Sequence, residues 1–242
     1  MTEPMKYGQT EFEVHLPPEL IAAELEPNQV DLPQRTTAEH IRWALDHPID
    51  SAPLKELVKA GDKICVVISD VTRRWQAPDT YLPILIGELE AAGVRDEDIL
   101  ILSATGTHRR QTEEEHIGLV PKPVYDRIRV EDHVCTDQDN LAYVGTTSRG
   151  TPVWLDKRAL ACDKIILTGG VVYHFMAGFG GGRKSILPGI AGRETIMKNH
   201  NLALNPGIGS GSTPAVRSAN MNAANPVHAD MMEAPWSAPR FC

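Results

Sequence analysis

Three runs of nearly continuous apolar residues stand out along the chain: Lys63-Ile64-Cys65-Val66-Val67-Ile68-Ser69, Asp98-Ile99-Leu100-Ile101-Leu102-Ser103 and Lys164-Ile165-Ile166-Leu167-Thr168. Each has strand length and no alternation, the pattern of a strand covered on both faces, as in a parallel sheet. Between the first two, Leu82, Leu85, Ile86, Leu89 and Ala92 recur at helical spacing, and Gly93 ends the run. Strand, polar loop and helix therefore alternate, which predicts an α/β layered fold with a largely parallel sheet and helices on both faces. Weaker signals fill in the rest. Phe12 to Leu16 predicts a short strand stopped by Pro17-Pro18, and residues 17–36 read as an irregular connection. Thr37 reads as the cap of a helix with Ile41, Ala44 and Leu45 on its apolar stripe, ending at Pro48. A second helix is expected over Pro53 to Ala60, stopped by Gly61. Thr112 and Glu115 form a capping box that opens another helix, and short strands are expected near Ile128 to Val130 and Ala142 to Val144. Glu194 to His200 reads as a short helix, the stretch 205–225 has no clear period, and Pro226 to Glu233 reads as helical.

Chemistry gathers at the ends of the three apolar runs, where α/β folds bind their ligands. Asp70-Val71-Thr72-Arg73-Arg74 follows the first, Ala104-Thr105-Gly106-Thr107-His108-Arg109-Arg110 the second, and Gly169 to Ile190 the third. The last segment holds seven glycines around His174 and Lys184. Glycine in such numbers is costly in a packed element, so the run is expected where backbone approaches a ligand closely. Within it, Gly178-Phe179-Gly180-Gly181-Gly182-Arg183-Lys184-Ser185 nearly matches the nucleotide-binding pattern G-x-x-x-x-G-K-[ST], but Arg183 stands where that pattern needs glycine. Its backbone amides are still suited to an anionic group.

A net charge of −8 with no basic cluster argues against a nucleic-acid partner, whose phosphates demand a cationic face. No run approaches the roughly 18 apolar residues of a membrane span, and no signal-peptide pattern opens the chain, so a cytoplasmic location is expected. Cysteines 65, 135, 162 and 242 lack metal-ligand spacing and read as small buried thiols.

Taken together, Thr105-Gly106-Thr107-His108-Arg109, then Tyr173-His174 leading to Gly180-Gly181-Gly182-Arg183-Lys184-Ser185 and Pro188-Gly189-Ile190, then His200, resemble the nickel-pincer lactate racemase family. Asp70-Val71-Thr72-Arg73 is similar to that family's early strand-end motif. The resemblance covers about residues 60 to 204 and implies a pyridinium mononucleotide with two sulfur-containing arms, nickel bound to a ring carbon and to both sulfurs, and partner enzymes that build the cofactor. It implies that Lys184 holds the cofactor through a thioamide, with Thr105, Gly106, Gly180, Gly181, Gly182 and Arg183 around it. It further implies that His200 ligates the metal, that His108 and His174 are the acid and base, and that Arg73, with Asp70 beside it, meets the substrate.

These implied roles are chemically coherent. An amine forms a covalent bond only when neutral, and the Arg183 cation beside Lys184 favours the neutral form. Neutral imidazole suits nickel, Arg73 can grip a carboxylate through two parallel hydrogen bonds, and histidines exchange acid and base roles near neutral pH. Asp70 has a plainer alternative, as a helix cap or a partner of Arg73 or Arg74. His15, His40, His47, His116, His133 and His228 are expected to be structural. The implied reaction is inversion at the hydroxyl-bearing carbon of a 2-hydroxy acid: one histidine takes the hydroxyl proton while hydride leaves the carbon, and the planar keto acid is reduced on its other face.

The family's members are longer, so the resemblance assigns the whole of residues 1–242 to an N-terminal cofactor-binding catalytic domain, with the second domain absent or truncated. Ala234 to Cys242 does not continue the preceding helical pattern, which fits that expectation. Two alternatives stay open: a cofactor-binding fragment without catalysis, and a nucleotide hydrolase using the glycine-rich loop.

Overall fold

The three apolar runs are neighbouring strands of one parallel sheet in the computed structural model, which describes residues 2–24, 26, 28–204 and 225–236. They are β3 (Ile64–Ser69), β4 (Ile99–Ala104) and β8 (Lys164–Leu167), and a fourth strand, β5 (Arg129–Asp132), completes the order β5-β4-β3-β8. Every pairing is parallel, with Val66 opposite Ile101 on one side and Ile166 on the other. Successive residues face opposite layers. Ile64, Val66 and Ile68 pack with Leu82, Ile86 and Leu89 of α3 (Pro78–Ala91), while Cys65 and Val67 join Ala159 and Ile190 on the opposite face. Both faces are thus buried, as unbroken apolar strands require.

A third cluster forms under the glycine-rich segment. Its members include Val153 and Leu155 of β7 (Pro152–Asp156), Ile186, Leu187, Ala191, Ile196 of α7 (Arg193–Asn201), and Val227 and Met231 of α8 (Pro226–Trp236). β7 pairs antiparallel with β6 (Leu141–Thr146), outside the main sheet. Only the β6 half of this hairpin is legible as a strand, because Pro152 at the head of β7 masks the alternation that buries Val153 and Leu155.

Other boundaries shift for local reasons. Thr36, not Thr37, caps α1 (Thr37–Asp46), because its hydroxyl and amide both engage Glu39 in a capping box. The expected helix over 53–60 is one turn, α2 (Leu54–Leu57), since Val58 turns extended and buries its side chain. The capping box at Thr112 opens α4 (Glu113–Leu119) as expected. α8 continues past Glu233 to Trp236, beyond the sequence reading, and Cys242 and most of the aperiodic stretch 205–225 lie outside the described residues. Cys65, Cys135 and Cys162 are buried thiols outside any disulfide among the described residues. Among the described residues no helix is long and apolar enough to cross a membrane.

The chain divides into two compact units, Met1–Arg35 and Thr36–Cys242. The first holds an antiparallel hairpin of β1 (Thr2–Tyr7) and β2 (Thr10–His15). Gly8, at φ +62°, makes the two-residue turn with Gln9. β1 went unread because Pro4 interrupts it, which an isolated two-stranded ribbon tolerates on its open side.

Candidate active site

Because β3, β4 and β8 are adjacent and parallel, their carboxyl ends deliver three loops to one edge of the sheet. Between these loops lies a cleft of about 280 Å³, lined among others by Arg73, Thr105, Gly106, His108, His174, Gly180, Gly181, Lys184 and His200. Residues as much as 131 positions apart in sequence therefore share one cavity, as 69 and 200 do. Asp70, Gly182 and Arg183 do not line it. Ser69, Trp75, Gln76, Ser185, Gly189 and Met197 do, and sequence reasoning, which quoted Ser185 and Gly189 within motifs, had given none of them a role. Trp75 and Gln76 follow the Asp70 motif directly, which was the available signal.

Asp70 is buried at the end of β3, and the plainer reading of its role, as a cap, is the one seen. Its carboxylate caps the turn Val71–Gln76 by accepting from the Thr72 amide at 3.2 Å, and it meets Nδ1 of His108 in a close hydrogen bond. A carboxylate only accepts, so Nδ1 of His108 carries the proton, and in the neutral ring Nε2 is the nitrogen with the lone pair. Arg73 reaches Asp70 at only 3.5 Å, and its Nε and Nη2 donors have no partner among the described residues.

His174 has the opposite polarity. Nδ1 accepts from the amides of Met176 at 3.3 Å and Ala177 at 3.1 Å, which leaves the proton on Nε2. Burial, then the charges of Lys184, His200, Arg73 and Arg183, pushes its pKa down to about 4. The cleft thus pairs one imidazole with an acceptor nitrogen and one with a donor.

Lys184 sits in the short turn Gly182–Ser185, and its pKa falls to about 8, chiefly through burial, then through the charges of Arg73 and Arg183. Arg183 is therefore the lesser cause. Its Nη2 donates to the carbonyls of Ala177 at 2.6 Å and Phe179 at 3.1 Å, so it braces the loop from behind. The glycines also serve the chain itself. A Cβ on Gly189 would lie 2.1 Å from the Ser185 carbonyl oxygen, and Gly181, at φ +74°, passes close to the Gly170 carbonyl. Lys184 lies in the short turn Gly182–Ser185 and the next helix, α7, starts only at Arg193, unlike the strand–loop–helix context of a nucleotide-hydrolase loop.

His200 lies near the end of α7 with Nδ1 buried and unpartnered. Burial, then the Lys184 charge, lowers its pKa, and the Ile196 carbonyl one turn back opposes this without closing a hydrogen bond to Nδ1. Of the histidines expected to be structural, His116 binds Asp132, and His133 is satisfied on both nitrogens by Asp156 and the Ala191 carbonyl. His228 departs from that group: its Nδ1 is buried without a partner, and its pKa is lowered by burial and by Arg183.

The neighbourhood of Lys184 gives a direct check. Lys184→Met removes the second-largest cause of depression at His174, so the His174 pKa is expected to rise from about 4 towards its ordinary value while burial keeps it below 6.5. Titration of the ring proton by NMR reads this. An unmoved pKa would place the Lys184 charge outside the cleft.

A parallel α/β sheet whose strand-end loops gather two imidazoles of opposite polarity, an arginine with unpartnered Nε and Nη2 donors and a lysine of lowered pKa has the makings of a small-molecule site suited to proton transfer and covalent attachment. The model of the lactate racemase N-terminal domain matches residues 7–211, and the chain belongs to that family. The lactate racemase of Lactiplantibacillus plantarum is 35% identical over 201 residues, covering 83% of this chain and 45% of that protein. The lactate racemase of Thermoanaerobacterium thermosaccharolyticum is 31% identical over 231 residues, covering 94% and 52%. The structure of the lactate racemase apoprotein from the same organism superposes with a TM-score of 0.80 at 30% identity, over 98% of this chain and 54% of that one. A Thermotoga maritima protein at 24% identity, matched over 83% of this chain and 47% of its own with a TM-score of 0.62, shares the fold. The chain spans about half the length of the curated relatives it matches.

Proposed function

We propose that this chain provides the cofactor-binding and proton-transfer half of a racemase or epimerase acting on a lactate-like 2-hydroxy acid. The observation that carries the reading is the convergence of Arg73, His108, His174, Lys184 and His200 on one cleft. The residues fit the nickel-pincer group in two respects. His200 offers an orphaned imidazole nitrogen, and Lys184, its pKa lowered to about 8, lines the same cleft. Lys184 would hold the group, His200 would ligate its nickel, and the backbone at Gly106, Gly180 and Gly181 would line it. When bound, the group supplies a hydride acceptor.

The protein's own residues handle the rest. The free donors of Arg73 suit a bidentate grip on the substrate carboxylate, fixing the hydroxyl-bearing carbon. Nε2 of His108, with Asp70 behind the ring, accepts the hydroxyl proton and is stabilised as an imidazolium. His174 lines the same cleft and would serve the opposite enantiomer's hydroxyl group, giving up a proton only from its imidazolium form. Gly182 and Arg183 act by shaping the loop. The reading is tested by co-expression with the cofactor's biosynthetic enzymes, followed by nickel analysis and assay against single-enantiomer 2-hydroxy acids. About one nickel per chain and loss of optical purity are expected. Bound nickel without racemisation would favour the non-catalytic cofactor-binding alternative.

A further inference from the structure

Gln111 touches none of the groups assigned above, yet it joins the two loops that carry Asp70 and His108. Its Oε1 accepts from the backbone amide of Val71, the residue after Asp70, at 2.6 Å. Its Nε2 donates to Ser103 Oγ and to Asp132 Oδ1, both at 2.8 Å, and its backbone N–H donates to Asp132 Oδ2 at 2.7 Å. The amide's orientation is fixed by its partners, since a backbone N–H can only donate and a carboxylate can only accept. Asp132 is itself anchored by His116 Nε2 at 2.9 Å, and burial of that carboxylate is outweighed by these hydrogen bonds.

The geometry is that of a strut. Asp70 ends β3 and His108 lies in the loop after β4, so their hydrogen bond spans two loops. Gln111 spans the same two loops a few residues further along, from the start of α4 to Val71. Without it, the side-chain hydrogen bond left between these loops among the described residues is the Asp70–His108 contact, on a ring whose side chain is 44% exposed. We infer that Gln111 is a positioning residue that, through Val71, holds the Asp70 carboxylate against His108 and so fixes the His108 ring as the Nδ1–H tautomer with Nε2 open to the cleft. The assignment of tautomer stands on geometry, and its catalytic consequence rests on the racemase reading above.

Long-range proton–nitrogen correlation spectra of the 242-residue chain, with the His108 ring assigned through His108→Gln, test this directly. The parent should show a protonated Nδ1 and a pyridine-like Nε2. Gln111→Met keeps the volume and removes the amide, and should shift His108 towards the Nε2–H form that free imidazole prefers, with His133 unchanged as an internal control. Val71→Pro removes the other end of the strut. Val71 is the first residue of its turn and Asp70 is extended at φ −76°, ψ 178°, so proline is tolerated there. Both variants should give the same shift, and Val71→Pro decides the matter where Gln111→Met does not fold. A His108 ring with parental nitrogen shifts in a folded variant would overturn the inference. In cofactor-loaded enzyme, Gln111→Met should lower kcat at least about tenfold with KM little changed, a share of the 10²–10⁴-fold typical of a general base. Racemisation absent from the parent as well would sink the racemase reading, and the tautomer result would still decide this one.

Discussion

Lys184→Met protein, co-expressed with the enzymes that build the cofactor, is expected to be recovered at its unmodified mass, whereas the parent chain gains the cofactor's mass. The argument is one of proton occupancy. At pH 7.5 an ordinary lysine with a pKa of 10.5 is neutral in about a tenth of a percent of molecules, while one at about 8 is neutral in about a quarter. The gain exceeds about a hundredfold, and only the neutral amine can attack an acyl carbon. Burial is the main cause, and Arg73 contributes ahead of Arg183. Arg183→Ala should therefore impair loading mainly through the loop, by freeing the Ala177 and Phe179 carbonyls. Intact-protein mass spectrometry and a peptide map settle the point. Cofactor mass found on Lys184→Met, or on another lysine of the parent, would remove Lys184 from its proposed role.

The contrast between Arg183 and Lys184 shows where the sequence stops being readable. The parallel sheet was legible because Ile64 to Ile68 and Ile99 to Leu102 lack any alternation, and burial on two faces is the physical cause of that pattern. Which loops meet also followed, since parallel strands send their carboxyl ends to one edge. The direction of each side chain did not. Arg183 and Lys184 are adjacent, yet one turns back to carbonyls of its own loop and the other lines the cleft. Glycine-rich sequence suggested ligand contact, and part of it serves chain-on-chain packing at Gly181 and Gly189. Histidine polarity was equally hidden, because it depends on what meets each Nδ1: a carboxylate at His108, and two amides at His174.

Those polarities underlie the separate roles proposed for the histidines, and substitutions should divide them. His108→Gln and His174→Gln remove a proton acceptor and a donor, so each is expected to lower racemisation by at least about 10²–10⁴-fold in cofactor-loaded enzyme. Both should retain nickel, since neither is assigned as its ligand. His200→Ala should lose nickel, because it deletes the imidazole with the orphaned buried nitrogen. Asp70→Asn completes the set. The amide keeps the shape of the carboxylate, but it no longer favours an imidazolium and it permits the wrong His108 tautomer, so activity should fall about as far as in His108→Gln while nickel and fold persist. Metal analysis beside initial rates from each enantiomer distinguishes these outcomes. Full nickel in His200→Ala, or parental rates in Asp70→Asn, would mean that the cleft is assembled for something other than the proton transfers assigned to it.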